Sequence, residues 1–302
     1  MPEGHTLHRL AATLDEAFAG TAPRASSPQG RFVEGAALLD GRLVERADAW
    51  GKHLFVTFAG DVVLNVHLGL IGVFDVGPYA VAPPPPVGAV RLRLVNDTHV
   101  ADLRAMTLIQ VVSPEEFAAT VARLGPDPLR AGSPGHEPER ALARLARTGR
   151  SIAECLMDQS VLAGVGNVYR CEVLFRHRVD PFRPGKEIRP ATFRAIWDDL
   201  VALMPVGVVF GQIITLPEQV ERARELMAAG ALGPGVRWQG GAEGELGRRG
   251  GRPAYESLSP LPRSYAVYKR TGEPCLTCGS RVRTAVVAGR NLYWCGRCQR
   301  RR

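Results

Sequence analysis

The stretch 156-LMDQSVLAGVGNVYRCE-172 decides how the middle of this 302-residue chain folds. Apolar residues at helical spacing flank it, and the glycine-rich run LAGVGN at 162–167 interrupts them. This pattern predicts two helices separated by a glycine-rich turn. Asn167 opens the second helix, a position that suits an N-cap. Glycines before a helix N-terminus also let a phosphate approach backbone N–H groups, and Asn167 adds a side-chain donor.

The second of these helices also carries Glu172, five residues beyond Asn167 and among apolar neighbours. A buried carboxylate needs a partner. We expect that partner to be the N-terminal amine, and we assign Glu172 a supporting role.

Four of the six cysteines form two C-x-x-C pairs near the C-terminus, separated by sixteen residues: Cys275, Cys278, Cys295 and Cys298. This spacing predicts one tetrahedral zinc ion, and four sulfur ligands leave no open position, so the zinc is expected to be structural. Between the pairs, RVRTAVVAGRNLYW predicts two strands with a turn at 288–289. The other two cysteines, Cys155 and Cys171, are expected in the core.

The positive charge of the chain is concentrated in its last forty residues. Residues 263–302 contain ten Lys and Arg and a single acid, Glu273, whereas the whole chain carries a net charge of +8. A basic segment on an otherwise neutral protein is typical of a polyanion-binding surface, although solvated surface charge is the simpler alternative.

The N-terminal third has a different pattern of apolar and turn-forming residues. Apolar residues at helical spacing predict a helix over 3–19, and short β-rich runs between Gly, Asp and Pro turns predict an antiparallel sandwich or barrel as far as about residue 117. We predict a multidomain α+β protein with four segments: an N-terminal helix and sandwich at 1–118, a linker at 119–148, a helical domain at 149–261 with an insertion at about 216–258, and a zinc finger at 262–302.

Several classes of protein are disfavoured by the sequence. It has no run of eighteen apolar residues, and its start has no basic segment followed by an apolar one. We therefore expect no membrane segment and no secretion. Neither a phosphate-binding nucleotide loop nor a Rossmann fingerprint is present, so ATP and NAD are not expected.

Taken together, these parts resemble the formamidopyrimidine-DNA glycosylase and endonuclease VIII family of base-excision repair enzymes. The resemblance rests on five motifs in order: MPEG at 1–4, WGKHL at 50–54, HLGLIG at 67–72, the stretch at 156–172, and GEPCLTCG with VVAGRNLYWCGRCQ within 272–299. It implies a helix on a β-sandwich, a helix–two-turn–helix domain and a zinc-finger hairpin. MPEG is more similar to the endonuclease VIII branch, which prefers oxidised pyrimidines. Thr6 departs from the acid that the family often has there.

The resemblance gives Pro2 and Glu3 the catalytic roles. Once Met1 is removed, the nitrogen of Pro2 is a secondary amine, and an α-amino group titrates near about 7.7–8 in small peptides. Such a nucleophile can attack the deoxyribose C1′ and form an iminium that leads to β,δ-elimination. By resemblance, Glu3 is a general acid and proton shuttle. From the residues alone, proline also suits a first helical turn, and Glu3 also suits the start of its own helix.

Further residues are assigned to DNA by the same resemblance. Lys52 and Arg290 are expected to hold phosphates beside the catalytic groups, and Asn167 is expected to contact the backbone. Base flipping leaves a gap in the duplex. By the resemblance, three side chains are expected to fill it: Leu70, Arg104 and Met106.

The sequence therefore predicts a bifunctional DNA glycosylase and abasic-site lyase acting on oxidised pyrimidines, with damaged double-stranded DNA as partner. We expect a monomer in the bacterial cytosol, associated with the nucleoid. Three alternatives stay open: specificity for oxidised purines, a catalytically silent DNA-binding relative, and a zinc-ribbon protein of translation or transcription.

Overall fold

A computed structural model of the protein describes residues 2–230 and 259–300. These residues form two compact units. The first contains Pro2 and Thr6–Ala122, and the second contains Glu3–His5, Arg123–Gly230 and the described residues from Ser259 onward. The first helix, α1 (Gly4–Phe18), therefore begins in the second unit and continues in the first.

The first unit is built on two four-stranded antiparallel sheets. One has the order β1-β6-β7-β5 and the other has the order β2-β3-β4-β8. The strands are β1 (Arg24–Ser26), β2 (Val44–Trp50), β3 (His53–Phe58), β4 (Val62–His67), β5 (Val73–Pro78), β6 (Val90–Val95), β7 (His99–Arg104) and β8 (Leu108–Val112). Two further helices, α2 (Val33–Leu39) and α3 (Pro114–Arg123), complete this unit.

Alternation along β3 explains why both faces of its sheet are covered. Leu54, Val56 and Phe58 belong to the main core, which also contains the apolar face of α1. Phe55 points to the opposite face and packs in a smaller cluster with Phe117 of α3. Successive strand residues point to opposite faces, so one six-residue strand contributes to two layers. The predicted sandwich with its N-terminal helix is confirmed.

The second unit is helical apart from its C-terminal hairpin. Its helices are α4 (Pro138–Leu145), α5 (Ile152–Cys155), α6 (Asn167–Arg176), α7 (Pro190–Phe210) and α8 (Pro217–Ala228). Helix α6 is buried on almost every side: its first eight residues are all buried, including Arg170 and Glu172. Cys155 and Cys171 are fully buried core residues, as predicted.

The hairpin consists of β9 (Val282–Val287) and β10 (Arg290–Cys295), paired antiparallel with Arg290 opposite Val287. Ala288 and Gly289 between them have φ values of 53° and 68°. Positive φ at both central residues is the requirement of a type I′ turn, whose twist matches that of the strands. The predicted turn and both predicted strands are confirmed, and β10 packs against α6.

Two sequence segments need comment. The segment predicted as a linker, 119–148, contains the end of α3, a 3-10 turn at Pro128–Arg130 and α4. Helix α8 lies at the start of the predicted 216–258 insertion, and residues 231–258 lie outside the described part of the chain. Within residues 2–230 and 259–300, every helix is too short or too polar to span a bilayer.

Candidate active site and metal centre

The carboxylate of Glu3 caps the N-terminus of α6. Its two oxygens accept hydrogen bonds from the backbone N–H groups of Gly166 (2.8 Å), Val168 (2.8 Å) and Tyr169 (3.4 Å). Glu3 is completely buried. The first N–H groups of a helix have no partner within the helix and carry its positive end. A carboxylate from 163 residues earlier in the chain supplies that partner here.

Three glycines make this approach possible. A Cβ on Gly166 would lie 2.5 Å from Cδ of Glu3, and a Cβ on Gly4 would lie 2.8 Å from Cα of Gly164. The Gly4 N–H donates to the Gly164 carbonyl at 2.7 Å. Gly164 itself has a φ of +83°, in the region that favours glycine. The glycines at 164 and 166 therefore allow residues 3 and 4 to pack against them at close range.

This arrangement corrects one part of the sequence interpretation. The N–H groups at 166, 168 and 169 were expected to be open to a phosphate, whereas the carboxylate of Glu3 occupies them. Glu3 caps α6. Spacing along the chain carries no information on such a long-range pair.

The Asn167 side chain is held from two sides. Its Oδ1 accepts a hydrogen bond from the Arg170 guanidinium, and its Nδ2 donates to the Asn291 carbonyl at 2.9 Å. Arg170 also donates to the carbonyls of Ala153 (3.4 Å) and Val287 (3.2 Å). Burial lowers the pKa of Arg170. Sequence reasoning missed this residue, although a charged side chain inside an apolar helical pattern was a visible signal.

Arg290 lies directly after the hairpin turn and is half-buried. It borders a cavity of about 240 Å³ that it shares with Ala288, Met157 and the paired Arg150 and Asp158. The N–O distance in the Arg150–Asp158 pair is 2.7 Å. The guanidinium of Arg290 contacts the Gly289 carbonyl at 3.1 Å. The structure thus brings three of the predicted residues, Glu3, Asn167 and Arg290, to the N-terminal end of α6 and the adjoining hairpin.

Glu172 has partners other than the expected one. Its carboxylate accepts hydrogen bonds from the Thr215 hydroxyl (2.9 Å) and from the backbone N–H groups of residues 266, 267 and 268 (2.8, 3.0 and 2.9 Å). Among the described residues these four donors satisfy it, so the predicted pairing with the N-terminal amine is wrong. Glu172 fixes the segment that leads into the zinc finger.

In the first unit, Lys52 lies in the two-residue turn between β2 and β3, close to His67. Burial, His53 and Lys52, in that order, lower the pKa of His67 to about 4. The Gly69 N–H donates to Nδ1 of His67 at 3.0 Å. Since Nδ1 accepts, the proton of the neutral ring is on Nε2. His67 is a second residue that sequence reasoning missed.

The predicted void-filling residues differ in their surroundings. Leu70 is 49% exposed at a turn between β4 and β5, beside Ile71, which is 75% exposed. Met106 is half-buried against the main core. Arg104 forms an ion pair with Asp75.

Pro2 precedes Glu3 and is partly exposed. Because Glu3, Gly4 and His5 are fixed in the second unit, Pro2 is attached to a held segment of chain. The ring of His5 packs edge-on against Tyr169 with centroids 5.6 Å apart, and both residues are buried. Thr6 is also buried.

The four predicted cysteines converge on one point. Their sulfur atoms all lie within 4.8 Å of one another, with 3.5 Å between Cys278 and Cys295 and 3.9 Å between Cys275 and Cys298. Tetrahedral zinc with bonds of about 2.3 Å requires sulfur atoms about 3.8 Å apart. The cluster therefore fits one structural zinc ion, and the prediction is confirmed.

Comparison with known proteins defines the class. Three family profiles match in order: "Formamidopyrimidine-DNA glycosylase N-terminal domain" at residues 1–109, "Formamidopyrimidine-DNA glycosylase H2TH domain" at 124–218, and "Zinc finger found in FPG and IleRS" at 272–301. The chain belongs to the formamidopyrimidine-DNA glycosylase and endonuclease VIII family.

Alignments with individual relatives cover most or nearly all of the chain. "Endonuclease 8 1" of Mycobacterium tuberculosis is 45% identical, and the match covers 99% of this chain and 100% of that protein. "Formamidopyrimidine-DNA glycosylase" of Geobacillus kaustophilus is 30% identical over 88% of this chain and 84% of that protein. In fold, the chain is similar to Lactococcus lactis Fpg in complex with abasic-site DNA, with a TM-score of 0.75, 18% identity, and coverage of 99% and 100%.

Substituting Gly166 with alanine tests the close approach of Glu3. A methyl group 2.5 Å from Cδ of Glu3 must displace the carboxylate, and we expect Gly166→Ala to lower the free energy of unfolding by about 1–3 kcal/mol in urea titrations. Gly149 is the matched control, because a Cβ there meets nothing within 4 Å. Gly149→Ala is expected to change stability by less than about 0.5 kcal/mol. Equal effects of the two substitutions would refute the steric argument.

The lowered pKa of His67 predicts a pH-dependent stability. The unfolded chain binds a proton near pH 6.5, whereas folded His67 binds one only near pH 4. The contribution is thus complete above pH 6.5 and is lost as the pH falls from 6.5 towards 4. Two-dimensional NMR titration should show a His67 resonance that titrates near 4. His67→Asn should lose less stability than the wild type between pH 7 and 5, and an identical loss would count against this assignment.

Removing zinc should loosen the hairpin without unfolding the helices. The segment 272–299 has few buried apolar side chains of its own, so metal binding supplies much of its folding free energy. We expect one zinc per chain by elemental analysis. After chelation, amide hydrogen exchange should accelerate in β9 and β10 while α7 stays protected. Unchanged protection of the hairpin in the apoprotein would contradict a structural metal.

Proposed function

We propose that this protein is a bifunctional DNA glycosylase and abasic-site lyase of base-excision repair that removes oxidised pyrimidines. The observation that carries the proposal is the fixed, buried carboxylate of Glu3 at the N-terminus of α6, one residue after Pro2. The family membership and the names of the relatives support the same activity.

Pro2 supplies the nucleophile. After removal of Met1, its nitrogen attacks C1′ of the damaged nucleotide, the bond from C1′ to the base breaks, and the sugar ring opens to an iminium. A secondary amine has no second proton to lose, so the iminium stays cationic and withdraws electrons. Loss of the C2′ proton then expels the 3′ phosphate, and a second elimination expels the 5′ phosphate.

Glu3 acts on the same sugar as general acid and proton shuttle. It protonates the ring oxygen as the ring opens and accepts a proton during elimination. The three N–H donors fix the position of its carboxylate and stabilise negative charge on it between proton transfers. Such preorganisation removes the need to order the carboxylate when substrate binds.

Phosphate contacts come from three cationic or polar side chains: Lys52, Asn167 and Arg290. A guanidinium can bind a phosphate with two parallel hydrogen bonds, so Arg290 is suited to the nucleotide that is processed. Leu70 fills the gap left by the flipped base, and its exposure supports this role. The roles of Arg104 and Met106 beside it stay predictions.

Preference for oxidised pyrimidines rests on the relatives. Identity to the mycobacterial "Endonuclease 8 1" is 45%, against 30% to the Geobacillus "Formamidopyrimidine-DNA glycosylase". The MPEG start favours the same branch. Retention of both Pro2 and Glu3 argues against a silent DNA-binding relative, since binding alone needs neither residue. We further propose a monomer that works in the bacterial cytosol on damaged double-stranded DNA.

Borohydride trapping tests the proposal directly. Reduction of the iminium should leave a covalent adduct between the N-terminal residue and a duplex that contains thymine glycol, with weaker trapping on 8-oxoguanine. Mass spectrometry of the adduct should show that Met1 is absent and Pro2 is modified. Absence of any adduct on thymine-glycol and abasic duplexes would defeat the Schiff-base mechanism. Stronger trapping on 8-oxoguanine would instead favour the oxidised-purine alternative.

Two variants serve as controls for this experiment. A chain with an uncleaved N-terminal extension keeps every side chain but blocks the amine, and it should form no adduct. Glu3→Gln should lose base release while it retains some cleavage of preformed abasic sites, because the amine still forms the iminium with the ring-opened sugar and elimination then proceeds slowly without the Glu3 carboxylate. Normal base release by Glu3→Gln would show that the acid is assigned to the wrong residue.

A further inference from the structure

Arg170 is a fully buried cation whose hydrogen-bond acceptors are neutral. Its guanidinium donates to the carbonyls of Ala153 and Val287 and to the Asn167 side chain, and its Nε atom has no partner among the described residues. Burial lowers the pKa of Arg170, whereas the charge of the buried Glu3 carboxylate raises it without a hydrogen bond between the two residues. Burying a charge without a directly hydrogen-bonded counter-ion is costly, and apolar residues of similar volume often give equal or greater stability. Packing alone therefore does not account for an arginine at this position.

The contacts of Arg170 lead to two residues already assigned to DNA. One is Asn167, on the preceding turn of α6. The other is Arg290, because Val287 is the last residue of β9 and Arg290 is the first of β10, across the two-residue turn. Arg170 thus links the helix N-terminus to the hairpin turn.

We propose that Arg170 is a positioning residue that orients the Asn167 amide and the Arg290 turn for DNA phosphate and adds positive charge behind both. The inference rests on the proposed function, because it takes DNA as the ligand of Asn167 and Arg290.

The orientation of the Asn167 amide follows from its two neighbours. Arg170 can only donate, and the Asn291 carbonyl can only accept. The amide oxygen must therefore face Arg170, and the amide nitrogen must face the hairpin. One of the two Nδ2 hydrogens is used by Asn291. Asn167 is buried in the structure, and its second Nδ2 hydrogen is assigned to the phosphate. Without Arg170 only the bond to the Asn291 carbonyl holds the amide, so the direction of that second hydrogen is no longer fixed.

The turn that carries Arg290 is fixed in a similar way. Its two central residues have positive φ and are exposed, so the turn packs against little. A hydrogen bond from Arg170 to the Val287 carbonyl joins β9 to α6, and a hydrogen bond from Asn167 to the Asn291 carbonyl joins β10 to α6. Loss of Arg170 removes the first hydrogen bond directly and weakens the second by releasing Asn167.

A double-mutant cycle on full-length protein tests the proposal. The measured quantity is the dissociation constant for a duplex with a tetrahydrofuran abasic-site analogue, using wild type, Arg170→Met, Asn167→Ala and the double variant. We expect Arg170→Met to weaken binding by about tenfold, the effect of losing one hydrogen bond to a charged group. The double variant should bind more tightly than the product of the two single effects predicts, since Arg170 acts partly through Asn167, and any loss that remains in the Asn167→Ala background measures its action through the Arg290 turn.

Two further variants separate positioning from simple destabilisation. Val173 is fully buried in the same helix and its apolar side chain can form no hydrogen bond to Asn167 or the hairpin, so Val173→Ala should lower the melting temperature and leave binding within about twofold. Arg170→Lys keeps the positive charge but can no longer donate to several acceptors at once. It should recover about half of the binding free energy that Arg170→Met loses. If Arg170→Met does not fold, the same cycle is run with Arg170→Lys.

The outcomes are distinct. Three results would each overturn the positioning role while the proposed function stands. They are wild-type affinity in a folded Arg170→Met, losses of affinity in Arg170→Met and Asn167→Ala that multiply fully in the double variant, and a loss of affinity in Val173→Ala equal to that in Arg170→Met. Failure of the wild type to prefer the abasic-analogue duplex over an undamaged one would overturn the proposed function and this inference together.

Discussion

The fold around the site depends on one buried carboxylate. Glu3 satisfies the first N–H groups of α6, a helix that is buried on almost every side. Removing the acid would leave several donors unpaired in the interior, at a cost of about 1–3 kcal/mol for each buried group. The same contact holds Gly4 against Gly164 and thereby fixes the chain next to Pro2. On the proposed mechanism, this one carboxylate serves both stability and chemistry.

Helix α6 organises the second unit through three polar residues. Asn167 and Arg170 reach the hairpin, and Glu172 reaches the backbone at 266–268. Each bond runs from the helix to a segment about one hundred residues later in the chain. The zinc ion then holds the two C-x-x-C pairs together, and the type I′ turn determines the position of Arg290. A polar helix face in the interior is costly unless every group is paired, and most of these groups are.

The sequence allowed much of this architecture to be predicted, for a local reason. Cysteine spacing, strand alternation and the Ala288–Gly289 turn depend on neighbours within a few residues, so they can be read directly. The partners of Glu3 and Glu172 cannot, because they lie more than forty residues away and nothing in the local pattern encodes the pairing. The expectation for Glu172 gave the buried carboxylate a charged partner, whereas the chain uses three backbone N–H donors and the Thr215 hydroxyl. Arg170 and Glu172 were visible as charges in an apolar pattern, which marks a buried network without naming its members.

The cap on α6 also has a consequence for the time at which the enzyme forms. Ribosomes make residues 3 and 4 first, yet these residues find their hydrogen-bonding partners only at 164–169. Contacts of such sequence separation form late, because a long loop must close before they can stabilise the structure. The segment that holds Pro2 therefore stays without these partners throughout the synthesis of the β-sandwich. On the proposed mechanism, a nascent chain gains its activity only after more than half of it has been made.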